Sequence, residues 1–326
     1  MKNETDIELF FLLLQYKFLI MRKVHLISIS DPLAIELASA ILKKGYEVSV
    51  SSDTLTDKEI KDLNDRGVIC RGNGWFPDNI TKETYSVVFG SQVTAENPEY
   101  LRAKELGLLL QSIPKFIYQR TISKTRVVVA GSRGRKTIIA LMVAALRKQK
   151  MDFDYVTTSD IKNLNNHLQL SYEGRIALIE GDEHITSLIE RQSQLEFYHP
   201  HIAIMTNLNW NISEDHSTPE AYMDTYRCFS TSIEREGKLI YYGGDPTIDE
   251  LVQDIRSDIT AIPFQEHPII EKDGQTFLNT RYGEYPIRIL NSHFLININA
   301  ARLACRQLGI NDKIFYQAVS DYTLSL

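Results

Sequence analysis

The sequence predicts an α/β protein of two successive domains, each built on a parallel sheet. Three observations carry that expectation. Short β-branched runs alternate with helical patterns from Lys23 to Leu106, the signature of strand–helix–strand units in a doubly wound sheet. A second series opens at Val127-Val128-Val129-Ala130 and passes through Gly131-Ser132-Arg133-Gly134-Arg135-Lys136-Thr137 into a helix face of Ile138, Leu141, Met142, Ala145 and Leu146. Strand, glycine loop and helix together hold a phosphate, because backbone N–H groups and the helix N-terminus point at the anion. The chain of 326 residues is also long enough for two sizeable cores. The expectation is therefore a Rossmann-like N-terminal domain over 21–122, then a P-loop-type α/β central domain over 123–326. Residues 1–20 are read as an appendage.

In the first domain Lys23 to Ile29 reads as a buried strand. Asp31-Pro32 starts a helix, with Asp as N-cap and Pro in the first turn. Ala34, Leu37, Ala38, Ile41 and Leu42 supply its packed face and Gly45 stops it. A strand at Glu47 to Ser51, a helix at Thr56 to Arg66, strands at Val68 to Cys70 and Tyr85 to Phe89, and a helix at Asn97 to Leu106 follow. Such a fold binds nucleotides through glycines at its first strand–helix turn. Here that turn is Ser28-Ile29-Ser30-Asp31-Pro32, without glycine. Pro32 has no N–H to offer, and Asp31 would repel a pyrophosphate, so the turn reads as a helix cap.

Between the domains Ile113 to Tyr118 reads as a hinge or capping helix, with Pro114 ending the strand before it. The glycine loop that follows departs from a working phosphate loop. The last glycine is normally followed by Lys, which meets the β- and γ-phosphates, and then by Ser or Thr, which binds Mg²⁺. Gly134 is followed instead by Arg135 and Lys136. A guanidinium is a broad planar fork, not a compact charge, and an ammonium in the hydroxyl position repels the metal. A one-residue slip would restore a Lys136-Thr137 pair, but it needs slack that the loop lacks.

Further on, Arg175 to Ile179 is a strand that delivers Glu180 at its carboxyl end, ahead of Gly181-Asp182-Glu183. That edge is where ligands meet in open α/β sheets, which favours Glu180 as the Mg²⁺ ligand over a merely solvated acidic turn. His201 to Thr206 is a strand ending at Asn207. Glu214 and Asp215 are favoured as caps of the helix near Pro219, with His216 at the surface, over a displaced metal ligand. Tyr222, Tyr226 and Phe229 recur at helical spacing and read as core. Lys238 to Tyr242 is a strand before the Gly243-Gly244-Asp245-Pro246 turn, and Glu271-Lys272-Asp273-Gly274 is a hairpin turn. Ile298 to Leu308 and Asp312 to Tyr322 read as structural helices.

The balance of 36 basic against 42 acidic residues excludes a basic field for nucleic acid. Cys70, Cys228 and Cys305 are too few and scattered for a disulfide framework or zinc cluster, which fits a reducing cytoplasm. Ile7 to Met21 is apolar but carries Glu8, Gln15 and Lys17. It is short for a membrane span, and its basic residues follow the run, unlike those of a signal peptide. Met21-Arg22-Lys23 reads as the natural start.

Several pieces, in order along the chain, carry a family resemblance. They are Gly74-Trp75-Phe76-Pro77, Glu96-Asn97-Pro98-Glu99-Tyr100 through Gly107, Ala130-Gly131-Ser132, Ile179-Glu180-Gly181-Asp182-Glu183, Met205-Thr206-Asn207, and His293 with Asn297, Ala300 and Ala301. In these the chain resembles the Mur ligases, and within them the UDP-N-acetylmuramate–L-alanine and UDP-N-acetylmuramate–peptide branches. The resemblance implies a first domain for UDP-sugar, a central domain using ATP and Mg²⁺, and amide formation through an acyl phosphate in peptidoglycan synthesis. It places Asn207, His293 and Asn297 at the nucleotide. It also implies a third domain, which would begin where this chain stops, at Leu326. Where the family carries an Asp-His pair, this chain has Asn211 and Ile212, and Phe294 stands where the family has Asn after His293.

Two functions follow as expectations. One is a degenerate relative with impaired or no ligase activity, holding a nucleotide, phosphate or sulfate on Gly131 to Thr137 or docking to cell-wall synthesis enzymes. The other is a working ligase whose third domain lies outside this chain. Departures at Arg135, Lys136, Asn211, Ile212, Phe294 and the glycine-free turn favour the first.

Overall fold

The computed structural model describes residues 22–29, 32–162 and 164–326. The expectations for residues 1–20 and for the Asp31 cap lie outside them. The chain divides into two compact units. One runs to Ile113 and includes Ser187–Ile189, and the other comprises Pro114–Thr186 and Glu190–Leu326.

In the first unit strands β1 (Lys23–Ile27), β2 (Glu47–Ser52), β3 (Ile69–Asn73), β4 (Thr84–Phe89) and β5 (Leu109–Ser112) form one sheet in the order β3-β2-β1-β4-β5. All neighbours are parallel. Helices α1 (Pro32–Lys43), α2 (Asp57–Asp65) and α3 (Pro98–Glu105) alternate with them. Local chemistry sets the helix starts. Thr56 and Glu59 form a reciprocal capping box on α2, and Asn97 caps α3 ahead of Pro98. His25, 1% exposed, links three elements: Nδ1 lies 2.7 Å from Ser49 Oγ and Nε2 3.2 Å from Glu99 Oε2.

The second unit opens with α4 (Ile113–Thr121) and carries a seven-stranded sheet in the order β12-β11-β10-β6-β9-β7-β8. Its strands are β6 (Thr125–Ala130), β7 (Phe153–Val156), β8 (Leu168–Gln169), β9 (Ile176–Glu180), β10 (Ile202–Met205), β11 (Lys238–Tyr242) and β12 (Thr260–Phe264). Only β8 runs antiparallel to its neighbour. The helices are α5 (Arg135–Lys148), α6 (Gln194–Phe197), α7 (Pro219–Ser232), α8 (Pro246–Gln253), α9 (Phe294–Gln307) and α10 (Asp312–Leu324). An antiparallel hairpin sheet, β13 (Ile269–Lys272), β14 (Gln275–Thr280) and β15 (Gly283–Ile287), packs against α10. One core joins the buried faces of α5, α9 and α10 to Val127, Val129, Leu178 and Ile204. Arg126, 1% exposed, donates to Thr121 O, Tyr198 O and His199 O and pairs with Glu234 at 2.6 Å. Its buried charge is thereby compensated.

Two expectations are corrected. The helix read as starting at Ile298 begins at Phe294, because Phe294 is a fully buried anchor of its first turn. The helix near Pro219 is capped by Thr218, whose hydroxyl accepts from Ala221 N, and not by Glu214 or Asp215.

The register of the sheet creates the site. Met205 of β10 pairs with Ala130 of β6, and Val129 of β6 pairs with Glu180 of β9. The loops after these three adjacent strands therefore open at one carboxyl edge, the ligand edge of such sheets.

Candidate functional site

Gly131 and Gly134 adopt φ +122° and +90°, a region that side-chain-bearing residues rarely enter. Both are also hemmed in. A Cβ on Gly131 would meet Thr206 and the Asn207 carbonyl, and one on Gly134 would collide with the Asn297 carboxamide. Gly134 is the N-cap of α5 and no side chain caps it, so the first-turn N–H groups of α5 are open to an anion.

The front of the loop is already tied to the segment after β10. Ser132 N donates to Asn207 O at 3.0 Å, and Arg133 N to Asn207 Oδ1 at 3.2 Å. Thr206 Oγ1 donates to Arg133 O at 2.7 Å, and Asn209 N to Ser132 Oγ at 2.7 Å. The Tyr222 hydroxyl lies 2.9 Å from Ser132 Oγ. Tyr222 is buried as expected, yet its hydroxyl also holds the loop, which helical spacing alone does not reveal.

Arg135 is the first residue of α5 and its side chain turns into the site. Nη1 donates to Gly181 O at 2.9 Å and Glu183 Oε2 at 2.7 Å, and Nε lies 3.9 Å from Glu180 Oε1. Burial opposes its charge, but Glu183, Asp182 and Glu180 outweigh that and raise its pKa. Lys136 and Arg133 are exposed, and Thr137 is half-buried.

Glu180 is 5% exposed and both carboxylate oxygens are engaged. Oε2 accepts from Thr157 Oγ1, from Thr158 N at 3.0 Å and from Ser159 N at 3.1 Å, and Oε1 from Ser159 Oγ at 2.7 Å. Sequence reasoning missed this Thr157-Thr158-Ser159 cradle because nothing local links it to a strand end 21 residues away. Asn297, 1% exposed, presents an unpartnered Oδ1 beside Gly134, and the buried Asn207 Nδ2 is likewise unpartnered. His293 caps α9 one turn before Asn297, and its ring takes no part in the loop's hydrogen bonds among the described residues.

Behind Arg135 lies a second polar group. His184 Nδ1 is 2.8 Å from Asp215 Oδ2, the same oxygen that accepts from Ile185 N at 3.2 Å. His216, expected at the surface, is 5% exposed. Its Nε2 lies 3.1 Å from Thr225 Oγ1, its carbonyl accepts from Trp210 Nε1 at 3.0 Å, and its ring packs edge-on against Tyr222. Ile212 points to solvent, 77% exposed. Among the described residues no group of three or more His, Cys, Asp or Glu side chains is placed to hold a metal ion. No described helix is long and apolar enough to cross a membrane.

The Mur ligase middle domain model matches residues 129–305, which spans the loop, Glu180, Asn207 and Asn297. A UDP-N-acetylmuramate–L-alanine ligase of Desulforamulus reducens is 24% identical over 315 residues, covering 93% of this chain and 66% of that one. The enzyme of the same name from Baumannia cicadellinicola is 26% identical, over 91% of this chain and 61% of its own. The chain thus spans about two thirds of the length of these curated relatives. Among solved structures, the UDP-N-acetylmuramate:L-alanyl-γ-D-glutamyl-meso-diaminopimelate ligase of Neisseria meningitides superposes with a TM-score of 0.80 at 17% identity, over 92% of this chain and 98% of that one. The UDP-N-acetylmuramate–alanine ligase of Thermotoga maritima gives 0.65 at 16%, over 92% and 68%. With more than half of its length matched by the family model, the chain belongs to the Mur ligase family.

Proposed function

We propose that this chain is a degenerate member of the family, which holds a phosphate-bearing ligand on the first turn of α5 without Mg²⁺ and does not ligate. The observation that carries this reading is the Arg135 side chain, which lies among Glu180, Glu183 and the Gly181 carbonyl. A tethered monovalent cation there balances the carboxylates that a hydrated metal would otherwise attract. The donor set does not fit Mg²⁺. Both Glu180 oxygens are engaged, the position for the loop hydroxyl carries Lys136, and Asn211 and Ile212 offer no ligand pair. Loss of a single electrostatic group at such a centre typically costs about 10²–10³ in rate, and here several independent groups differ.

The open helix N-terminus, the exposed Arg133 and Lys136, and the unpartnered Asn207 Nδ2 donor support an anion at the loop, and the unpartnered Asn297 Oδ1 acceptor suits a nucleotide's N–H or O–H groups. The relatives' names support a UDP-N-acetylmuramate context and, with it, proximity to cell-wall synthesis enzymes. The alternative, a working ligase completed by a segment outside this chain, draws on the kept glycines, Glu180 and Asn297.

The test is ADP formation from Mg-ATP with UDP-N-acetylmuramate and L-alanine, with the unmatched third of the Desulforamulus relative supplied in trans. The expected result is no ADP above the protein-free blank. Metal-dependent ADP formation that needs both substrates would establish the alternative.

A further inference from the structure

The proposed anion site is linked by contacts to a cluster of titratable side chains. His184 and Asp215 join the loop after β9 to the segment after β10 through the 2.8 Å Nδ1–Oδ2 contact. That second segment also holds the glycine loop, through Asn209 N and Asn207 on Ser132 and Arg133. From α7, Tyr222 reaches Ser132 Oγ and supports the His216 ring. An unbroken line of contacts therefore runs from a half-exposed imidazole to the phosphate loop.

We infer that the His184–Asp215 contact is a proton-tuned tie, strongest when His184 is protonated, which organises residues 207–216 and with them the anion site. This rests on the anion reading given above and assigns that site its regulation. The groups that face His184 are Asp182 and Glu183 on its own loop, Asp215 and His216 on the segment after β10, and Arg135 of α5, reached through Glu183.

Burial pulls the His184 pKa down, but Asp182, the Asp215 hydrogen bond and Glu183 together raise it above the ordinary value. The sign follows from linkage. The charge-assisted part of the tie is complete below the ordinary histidine pKa of about 6.5 and is lost as pH rises through the raised value, leaving a neutral Nδ1–H bond to Asp215. His216 behaves in the opposite way. Burial lowers its pKa against the opposing pull of Asp215 and Glu183, and the His184 charge lowers it further. It therefore stays neutral while His184 is charged, and keeps its contact with Thr225.

The experiment uses the full chain and two readouts across pH 6 to 8.5: amide exchange of residues 207–216, corrected for intrinsic rates, and calorimetric titration with sodium sulfate, whose charge is constant in this range. Protection should fall as pH rises, and sulfate affinity should weaken by about tenfold, the scale of one charge-assisted hydrogen bond. In His184→Gln and in Asp215→Asn both readouts should be low and flat with pH. His184 is 55% exposed at its side chain, and circular dichroism checks that each variant folds. Flat protection in the wild-type chain, or a slope that survives in His184→Gln, overturns the tie. Sulfate affinity that ignores pH while protection changes overturns its coupling to the site. A protection slope with no sulfate binding at any pH leaves the tie standing and overturns the anion reading.

Discussion

At the scale of single residues, Arg135 is the side chain on which the proposed metal-free chemistry turns. Lysine in its place would put a compact ammonium toward the anion, whereas the guanidinium fork engages two acceptors of the neighbouring loop at once. Replacing Arg135→Lys together with Lys136→Thr restores both elements of a metal–phosphate loop. ATP binding should then strengthen with added Mg²⁺ by on the order of tenfold or more, as expected when one metal–phosphate contact is recovered. Calorimetric titration of the double variant with and without metal measures this, and an unchanged metal response would show that these two residues do not occupy those roles. The place of Arg135 at the start of the helix was legible in the sequence, because it directly follows Gly134, which caps α5. Its partners were not, since Glu183 lies 48 positions away on another strand's loop. His216 was misread for a similar reason. It sits in a polar run whose burial is created by Tyr222 and Thr225 of the following helix.

At the scale of elements, the strand–loop–helix unit β6–α5 is held by conformation as much as by contacts. Gly134→Ala must place a Cβ at φ +90° and against Asn297, and strain of this kind costs about 1–3 kcal/mol. Urea denaturation should show that loss, and a variant as stable as the parent would mean that α9 yields and the loop is not clamped. The elements themselves were largely readable. The β-branched runs, the Asn97-Pro98 start, the Asp273-Gly274 turn and the strand Lys238–Tyr242 all carry local signals. The elements not read from the sequence include β7, β12 and α8, and β8 and α6, which are too short to show a period. Of these, α6 does have a signal in the Ser193 and Glu196 capping box.

Over the whole molecule, the fold is shared with solved Mur ligases across 92% of the chain, while in the proposed reading the groups that would handle metal have been replaced. The frame survives such replacement because its stability resides in the apolar core shared by α5, α9 and α10, and not in the carboxyl-edge loops. The replacements are also mutually consistent in charge. Arg135 and the His184 ring stand among Glu180, Asp182, Glu183 and Asp215, so the guanidinium supplies positive charge to these carboxylates and the imidazole adds to it when protonated. In the proposed reading Arg135 takes the place of a divalent cation. Titration of the full chain with ATP, once in excess Mg²⁺ and once in EDTA, separates the two cases. The same affinity is expected in both, and ATP that binds only when Mg²⁺ is present would contradict a metal-free site.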